Sequence, residues 1–130
     1  MHIVSTADAP KPVAAYSQAV VCDDIVYCSG QVGVDPRNGS LADGLAAQAE
    51  QVFQNLTAVL RAAGTHPGNV LKVTIYLVDL TSFADVNAIY ERFVGSRRPA
   101  RTTVAVAGLP LNAHIEVDVI AQKDDLSIGG

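Results

Sequence analysis

The hydrophobic residues of this chain recur at two spacings, which predict helices and strands in alternation. Between Leu45 and Ala63 the apolar residues return every three or four positions, as on a helix that rests one face on a sheet. Gly64 marks the expected end of that helix. A second helix is predicted to begin at Ser82, with Asp85 completing a capping box. The segment 70–79 instead alternates apolar and polar residues, which is typical of a strand.

Four further segments have the β-branched content and turn residues of strands. They are 19–22, 25–30, 101–107 and 114–121, of which the first two flank a two-residue acidic turn. The resulting order β, β, α, β, α, β, β predicts an α+β fold, with one mixed sheet and both helices on one face. The side toward the helices is expected to comprise Leu71, Val73, Ile75, Val104, Val106, Ile115, Val117 and Val119.

The same alternation predicts a mixed set of side chains on the opposite face of the sheet. That set is too apolar for water and too polar for an ordinary core, so we expect a partner subunit of the same chain to cover it. A solvated face in a monomer stays open as the alternative. The set comprises Thr74, Tyr76, Val78, Arg101, Thr103, Ala105, His114, Glu116, Asp118 and Ile120.

Composition narrows the class of protein. The 130 residues suffice for a single domain, 1–130, and the polar tail 124–130 is expected to be dispensable and flexible. A net charge of -4 argues against nucleic acid as a partner. Apolar runs are too short for a membrane span and the N-terminus lacks signal-peptide features, so a cytoplasmic location is expected. Cys22 and Cys28 point to different strand neighbours and are predicted to stay unpaired.

Few residues carry candidate chemistry. The three histidines are far apart and lack metal-ligand spacing, and no phosphate-binding loop or serine-hydrolase elbow is present. Arg101 follows a proline at a rigid junction and can aim a planar fork of donors at a carboxylate. Glu116 has apolar sequence neighbours, so a covering subunit would desolvate it and raise its pKa toward acid–base use. A buried ion pair between Arg101 and Glu116 is an equally good reading of the spacing.

The second predicted helix and the loop after it add three weaker candidates. Asn87 lies on the apolar face between Phe83 and Tyr90, where a buried amide needs partners, and is expected to tie down a loop. Arg97 and Arg98 either add positive potential near a pocket or are simply solvated.

Several stretches together resemble the Rid (YjgF) family of enamine/imine deaminases. They are Tyr16-Ser17-Gln18-Ala19-Val20, Tyr27-Cys28-Ser29-Gly30-Gln31, Gln48 through Leu56, Val86 through Tyr90, Pro99 through Val104, and Leu109-Pro110 followed by Ile115-Glu116-Val117. The resemblance implies a chorismate-mutase-like fold, a homotrimer with clefts between subunits, and no cofactor or metal. It also implies the reaction, in which water adds to the C=N bond of a 2-imino acid and releases a 2-keto acid and ammonia.

The resemblance also implies roles by position. Arg101 would bind the substrate carboxylate and Glu116 would position or activate water and shuttle protons. Tyr16 and Ser29 would line the cleft, Thr103 and Gly30 would offer backbone groups, and Asn87 would support the wall. One departure is Ala14-Ala15, where many members have Gly-Pro, and it leaves the preferred imine side chain open. Another is Thr103, where some relatives carry cysteine.

The leading hypothesis is a metabolite-repair deaminase acting on 2-iminobutanoate and 2-iminopropanoate or their enamines. One alternative is a non-catalytic module that binds or senses small carboxylates in the same cleft. A second is an endoribonuclease, which the acidic composition and the scarcity of aromatic residues disfavour.

Overall fold

The structure, a computed structural model, describes residues 1–124. Its elements are the strands β1 (His2–Val4), β2 (Ala19–Cys22), β3 (Ile25–Cys28), β4 (Gln31–Val32), β5 (Val70–Leu77), β6 (Ala100–Ala105) and β7 (Ile115–Gln122), and the helices α1 (Leu45–Ala62) and α2 (Phe83–Val94). Short 3₁₀ turns occur at Pro67–Asn69, Leu80–Ser82 and Pro110–Asn112.

The seven strands form one mixed sheet in the order β1-β2-β3-β7-β5-β6, with β4 also pairing with β7. Only β5 and β6 run parallel, because α2 connects them and returns the chain to the same end of the sheet. The buried residues of both helices share one core with the buried residues of the strands. The predicted α+β class, with two helices on one face, is confirmed.

Two short strands were not predicted. The strand expected at 25–30 ends at Cys28 as β3, and β4 follows after Ser29 and Gly30, beyond the predicted range. His2–Val4 adds an edge strand beside β2. Both β1 and β4 are too short to show a period-two pattern, since they have three and two residues. Of the predicted tail, Asp124 is anchored by a backbone bond of 3.2 Å to the Gly64 carbonyl, and 125–130 lie outside the described residues.

The first helix is attached to the sheet by buried amides as well as by apolar packing. Asn55 is fully buried, and its Nδ2 donates to the Val34 carbonyl at 2.9 Å. Gln48 accepts a 2.8 Å bond from the backbone N–H of His114. Gly64 adopts φ +86 directly after the helix, as its predicted role at the helix end requires.

The capping box predicted for the second helix is wrong. Ser82 precedes α2 with φ -84 and ψ 3, and its side chain makes no capping hydrogen bond. A 3₁₀ turn leads into the helix instead, and Asp79 Oδ1 accepts from the backbone N–H of Thr81 at 2.9 Å. The side-chain acceptor therefore acts one turn earlier than the Ser82–Asp85 spacing indicated.

The predicted face of β6 is also wrong. In the parallel register Arg101 pairs with Val73, Thr103 with Ile75 and Ala105 with Leu77, and those three β5 residues are buried beneath the helices. Arg101, Thr103 and Ala105 therefore lie on the helix side, and Val104 lies on the open face. The other predicted members of the open face on β5 and β7 alternate as expected.

A register shift between Val70 and Lys72 explains a further error on β5. The shift is a bulge that interrupts the alternation, and it leaves Leu71 45% exposed although Leu71 was expected on the core side.

Two smaller expectations were tested. Cys22 is exposed and Cys28 is buried, and neither forms a disulfide. Burial raises the pKa of the Cys28 thiol to about 12. Among residues 1–124, neither helix is both long enough and apolar enough to cross a bilayer.

Candidate functional site

Arg101 is held on the helix side of the sheet by aromatic rings and an amide from α2. Its guanidinium carbon lies 4.7 Å from the ring centroid of Tyr90 and 4.9 Å from that of Phe83. Its Nη1 donates to Asn87 Oδ1 at 2.8 Å. Among the described residues no carboxylate lies within ion-pair distance of Arg101. The guanidinium is thus oriented by neutral groups and keeps its charge uncompensated, which suits it to a small anion.

The role expected for Asn87 is therefore wrong in one respect. Its carbonyl oxygen accepts from Arg101, and within residues 1–124 its side chain makes no hydrogen bond to a loop. Phe83, Asn87 and Tyr90 recur at helical spacing on one face of α2. This spacing was visible in the sequence, but only the position of β6 beside α2 showed what the three side chains surround.

Thr103 lies two residues beyond Arg101 on the same face of β6. Its hydroxyl oxygen is buried and has no hydrogen-bond partner among the described residues. A buried hydroxyl without a partner is uncommon in folded proteins. We call Arg101, Asn87, Phe83, Tyr90 and Thr103 the arginine cluster.

Glu116 lies on the other face of the sheet, where it contacts Gly30. A Cβ placed on Gly30 would clash with Glu116 Oε2 and stand 2.9 Å from Glu116 Cδ. The carboxylate thus packs against the Gly30 backbone in space that no other residue would leave free.

Polar groups on β5 and β7 flank this carboxylate. Tyr76 pairs directly with Glu116 across the two strands, and its hydroxyl donates to Asp118 Oδ2 at 2.9 Å. Burial, and to a lesser degree the charge of Asp118, raises the pKa of Glu116 above its ordinary value. The hydrogen bond to Asp118 raises the pKa of Tyr76. An elevated carboxyl pKa favours proton exchange near neutral pH.

Ser29 connects Gly30 to the loop that carries Tyr16. The Ser29 hydroxyl donates to the Ser17 carbonyl at 2.6 Å, and its backbone N–H donates to the Gln18 carbonyl at 2.9 Å. Tyr16 is exposed and follows a tight turn in which its N–H donates to the Ala14 carbonyl at 2.9 Å. The loop therefore turns sharply even though it has alanines where Gly-Pro was noted in relatives. We call Glu116, Gly30, Ser29, Tyr16, Tyr76 and Asp118 the glutamate cluster.

Within one chain the two clusters lie on opposite faces of the sheet. Arg101 shares the face of Val73, whereas Glu116 shares the face of Tyr76. The sequence-based reading that put Arg101 and Glu116 on the same face is wrong, and so is the alternative of an ion pair between them. A ligand that touches both groups needs a second copy of the chain.

The described residues contain no group of three His, Cys, Asp or Glu side chains placed to hold a metal ion. The arginine cluster offers a guanidinium, an amide and a hydroxyl, and the glutamate cluster on the other face offers hydroxyls and carboxylates. Such groups bind small organic anions and move protons.

The comparisons with known proteins agree on the family. A family model described as Endoribonuclease L-PSP matches residues 6–123. The chain is 41% identical over 129 residues to the 2-iminobutanoate/2-iminopropanoate deaminase of Rattus norvegicus, covering 98% of this chain and 94% of the rat protein. It is 43% identical over 125 residues to a RutC family protein of Aquifex aeolicus, covering 95% of this chain and 100% of that protein.

The fold itself matches a solved structure. RidA from the Antarctic bacterium Psychrobacter superposes with a TM-score of 0.92 at 40% identity, covering 94% of this chain and 99% of that one. The fold class is thus that of RidA, two helices on one mixed sheet. The chain belongs to the YjgF/RidA family, as its resemblance in sequence predicted.

Proposed function

We propose that this protein is an enamine/imine deaminase that hydrolyses 2-imino acids, such as 2-iminobutanoate and 2-iminopropanoate, to 2-keto acids and ammonia. The observation that carries the proposal is the arginine cluster, in which neutral groups orient Arg101 and no described carboxylate neutralises it. A planar fork of donors held in this way is a receptor for the carboxylate of a small acid. The 41% identity to a deaminase of that name supports the reaction.

The proposed active site joins the arginine cluster of one subunit to the glutamate cluster of the next, in a homotrimer. Each cluster is incomplete in one chain because the sheet separates them. In the joined site Arg101 binds the substrate carboxylate, and Asn87 fixes the guanidinium. The unpartnered Thr103 hydroxyl becomes an additional donor beside the backbone groups of Thr103 and Gly30, and Tyr16 and Ser29 line the cleft.

The proposed chemistry uses Glu116 twice. As water attacks C2 of the protonated imine, the Glu116 carboxylate takes a proton from the water and the π pair of C=N moves to nitrogen. Glu116 then returns this proton to the nitrogen of the carbinolamine. The C–N bond breaks as the hydroxyl loses its proton and the carbonyl forms, which releases ammonia and one proton to solvent. A raised pKa at Glu116 supports both transfers, because it makes the carboxylate a better proton acceptor and moves the titration of the carboxyl toward neutral pH.

The test is turnover of imines generated in situ by an amino-acid oxidase, read as ammonia release and as imine left for trapping by semicarbazide. We expect the wild type to accelerate imine hydrolysis and each of two variants to lose about a hundredfold or more of that rate. Arg101→Lys keeps the positive charge but lacks the planar fork of donors. Glu116→Gln keeps the shape of the side chain but lacks the carboxylate. Arg61→Ala and Asp85→Asn, at exposed positions on the helices, serve as controls and stay near wild type.

Two other outcomes identify the alternatives. If 2-oxobutanoate binds in an Arg101-dependent way while imine hydrolysis is not accelerated, the chain is a carboxylate-binding module. If nuclease-free protein cleaves RNA and Arg101→Lys abolishes cleavage, it is an endoribonuclease. Either result overturns the deaminase proposal.

A further inference from the structure

The arginine cluster opens into a cavity that extends past it toward the end of α2. This cavity has a volume of about 480 Å³, and its lining includes Asn87, Tyr90, Glu91, Arg98 and Arg101. Pockets of this size hold organic ligands considerably larger than a three- or four-carbon acid. A short 2-imino acid bound at Arg101 would leave the Arg98 end of the cavity empty.

The two adjacent arginines of the 95–99 loop lie in different surroundings. Arg97 Nη1 donates to Asn69 Oδ1 at 3.5 Å, on the side of the 3₁₀ turn before β5. Arg98 lines the cavity together with Arg101. Gly95, with φ +68, turns the chain at the end of α2, and Pro99 fixes the backbone just before β6. The loop thus presents Arg98 and not Arg97 to the space beside Arg101.

Arg98 forms no ion pair within the described part of the chain. None of the carboxylates in residues 1–124 lies within ion-pair distance of it. At the Tyr90 hydroxyl, burial raises the pKa, whereas the positive charges of Arg101 and Arg98 oppose that rise. Both guanidinium groups therefore act on the same region of the cavity.

Glu91 is the one acidic group in this lining, so two positive charges face one negative charge. An anionic group in the cavity is consequently favoured near Tyr90, between the arginines, and disfavoured beside Glu91.

We propose that Arg98 determines substrate specificity by binding a second carboxylate, so that the preferred substrates are 2-imino acids whose side chain ends in an acid group. This inference rests on the proposed function, in which Arg101 binds the carboxylate next to the imine carbon. The substrate then spans the cavity from Arg101 to Arg98, with its apolar chain beside Tyr90.

The kinetic test compares 2-iminoglutarate with 2-iminobutanoate, each generated by an oxidase from its amino acid. We expect the wild type to favour 2-iminoglutarate in kcat/KM. Arg98→Ala lowers kcat/KM for 2-iminoglutarate roughly tenfold, as for loss of one charged hydrogen-bonded contact, and changes the value for 2-iminobutanoate less than about twofold. Arg97→Ala, the matched control, leaves the ratio of the two values unchanged. An unchanged ratio in Arg98→Ala, or an equal change in both variants, overturns the proposal.

A binding experiment separates this proposal from the proposed function. Calorimetry with 2-oxoglutarate and 2-oxobutanoate requires no turnover. If neither imine is hydrolysed, the deaminase proposal fails. The role of Arg98 is still supported if the wild type binds 2-oxoglutarate more tightly than 2-oxobutanoate and Arg98→Ala removes this difference. Equal binding of the two acids by the wild type, or an advantage that Arg98→Ala retains, overturns it.

Discussion

At the scale of single residues, three neighbours surround the Glu116 carboxyl and define its position and charge environment. The Gly30 backbone leaves room for its carboxylate, Tyr76 faces it from β5, and Asp118 places a like charge two residues along β7. Tyr76 also holds Asp118 by a hydrogen bond of 2.9 Å, which keeps that charge in place on the open face. His114 immediately precedes β7 and is a further titratable residue, two positions before Glu116.

This arrangement gives a prediction for the pH dependence. The pKa of Glu116 is raised by burial and by Asp118, so the carboxylate form that activates water is lost as the pH falls through this raised value. Asp118→Asn removes the like charge and keeps an acceptor for Tyr76, so the pKa of Glu116 falls. We expect the acidic limb of the kcat/KM profile to move to lower pH, with the wild-type rate kept at neutral pH.

The control for this prediction is Asp85→Asn, which removes a carboxylate at an exposed position on α2 and leaves the limb unchanged. The titration of Glu116 is followed separately by NMR of the labelled carboxyl, with or without substrate. If the acidic limb of the kcat/KM profile is at the same pH in Asp118→Asn as in the wild type, the assignment of that limb to Glu116 is wrong.

At the scale of elements, the packing of α2 on β6 orients Arg101. The parallel β5–α2–β6 unit places the Phe83, Asn87 and Tyr90 face of the helix over the start of β6. Of the elements that carry the glutamate cluster only β5 belongs to this unit, and its Tyr76 lies on the opposite face from Arg101. The orientation of the guanidinium should therefore respond to changes on α2 while the chemistry at Glu116 stays intact.

Phe83→Leu tests this contact. The substitution removes one of the two rings beside the guanidinium, and we expect kcat/KM to fall about 2- to 30-fold, through a higher KM with kcat little changed. Phe93→Leu is the matched control, because Phe93 lies on the same helix but packs on Phe53, at 4.7 Å between ring centroids. Equal losses in the two variants, or a loss confined to kcat, would show that the ring does not position Arg101.

At the scale of the whole molecule, the open face of the sheet is the feature that one chain leaves unexplained. Ile3 is 56% exposed, Tyr27 is 45% exposed and Val104 is 36% exposed on or beside this face, near the polar glutamate cluster. Burial of these side chains against other copies would remove apolar surface from water. Assembly into a trimer remains a prediction.

Complementation between inactive subunits tests whether the site is shared. In a trimer that contains both Arg101→Lys and Glu116→Gln subunits, an unaltered Arg101 meets an unaltered Glu116 at one of the three interfaces, so about a third of the sites recover. We expect co-expressed, doubly tagged oligomers to regain activity near that level. Each variant expressed alone stays inactive. Mixed oligomers that are isolated but inactive would contradict a site built from two chains.

The sequence by itself determined the elements and the candidate chemistry. The period of apolar residues depends on local backbone geometry, so it identified both helices and the five longer strands. Gly64 ends α1 for the same local reason. Arg101 and Glu116 stood out because of residue type and neighbours, and the resemblance to the family followed from contiguous stretches.

Only the tertiary structure decided how those residues are arranged. Alternation along an edge strand predicts that Arg101 and Thr103 share a face. Which face they share is determined by the register with β5, and that register pairs residues far apart in sequence. The bulge at Val70 and the pairing of β6 beside α2 are likewise long-range results. The separation of Arg101 from Glu116 by the sheet is therefore a property of packing and not of local pattern.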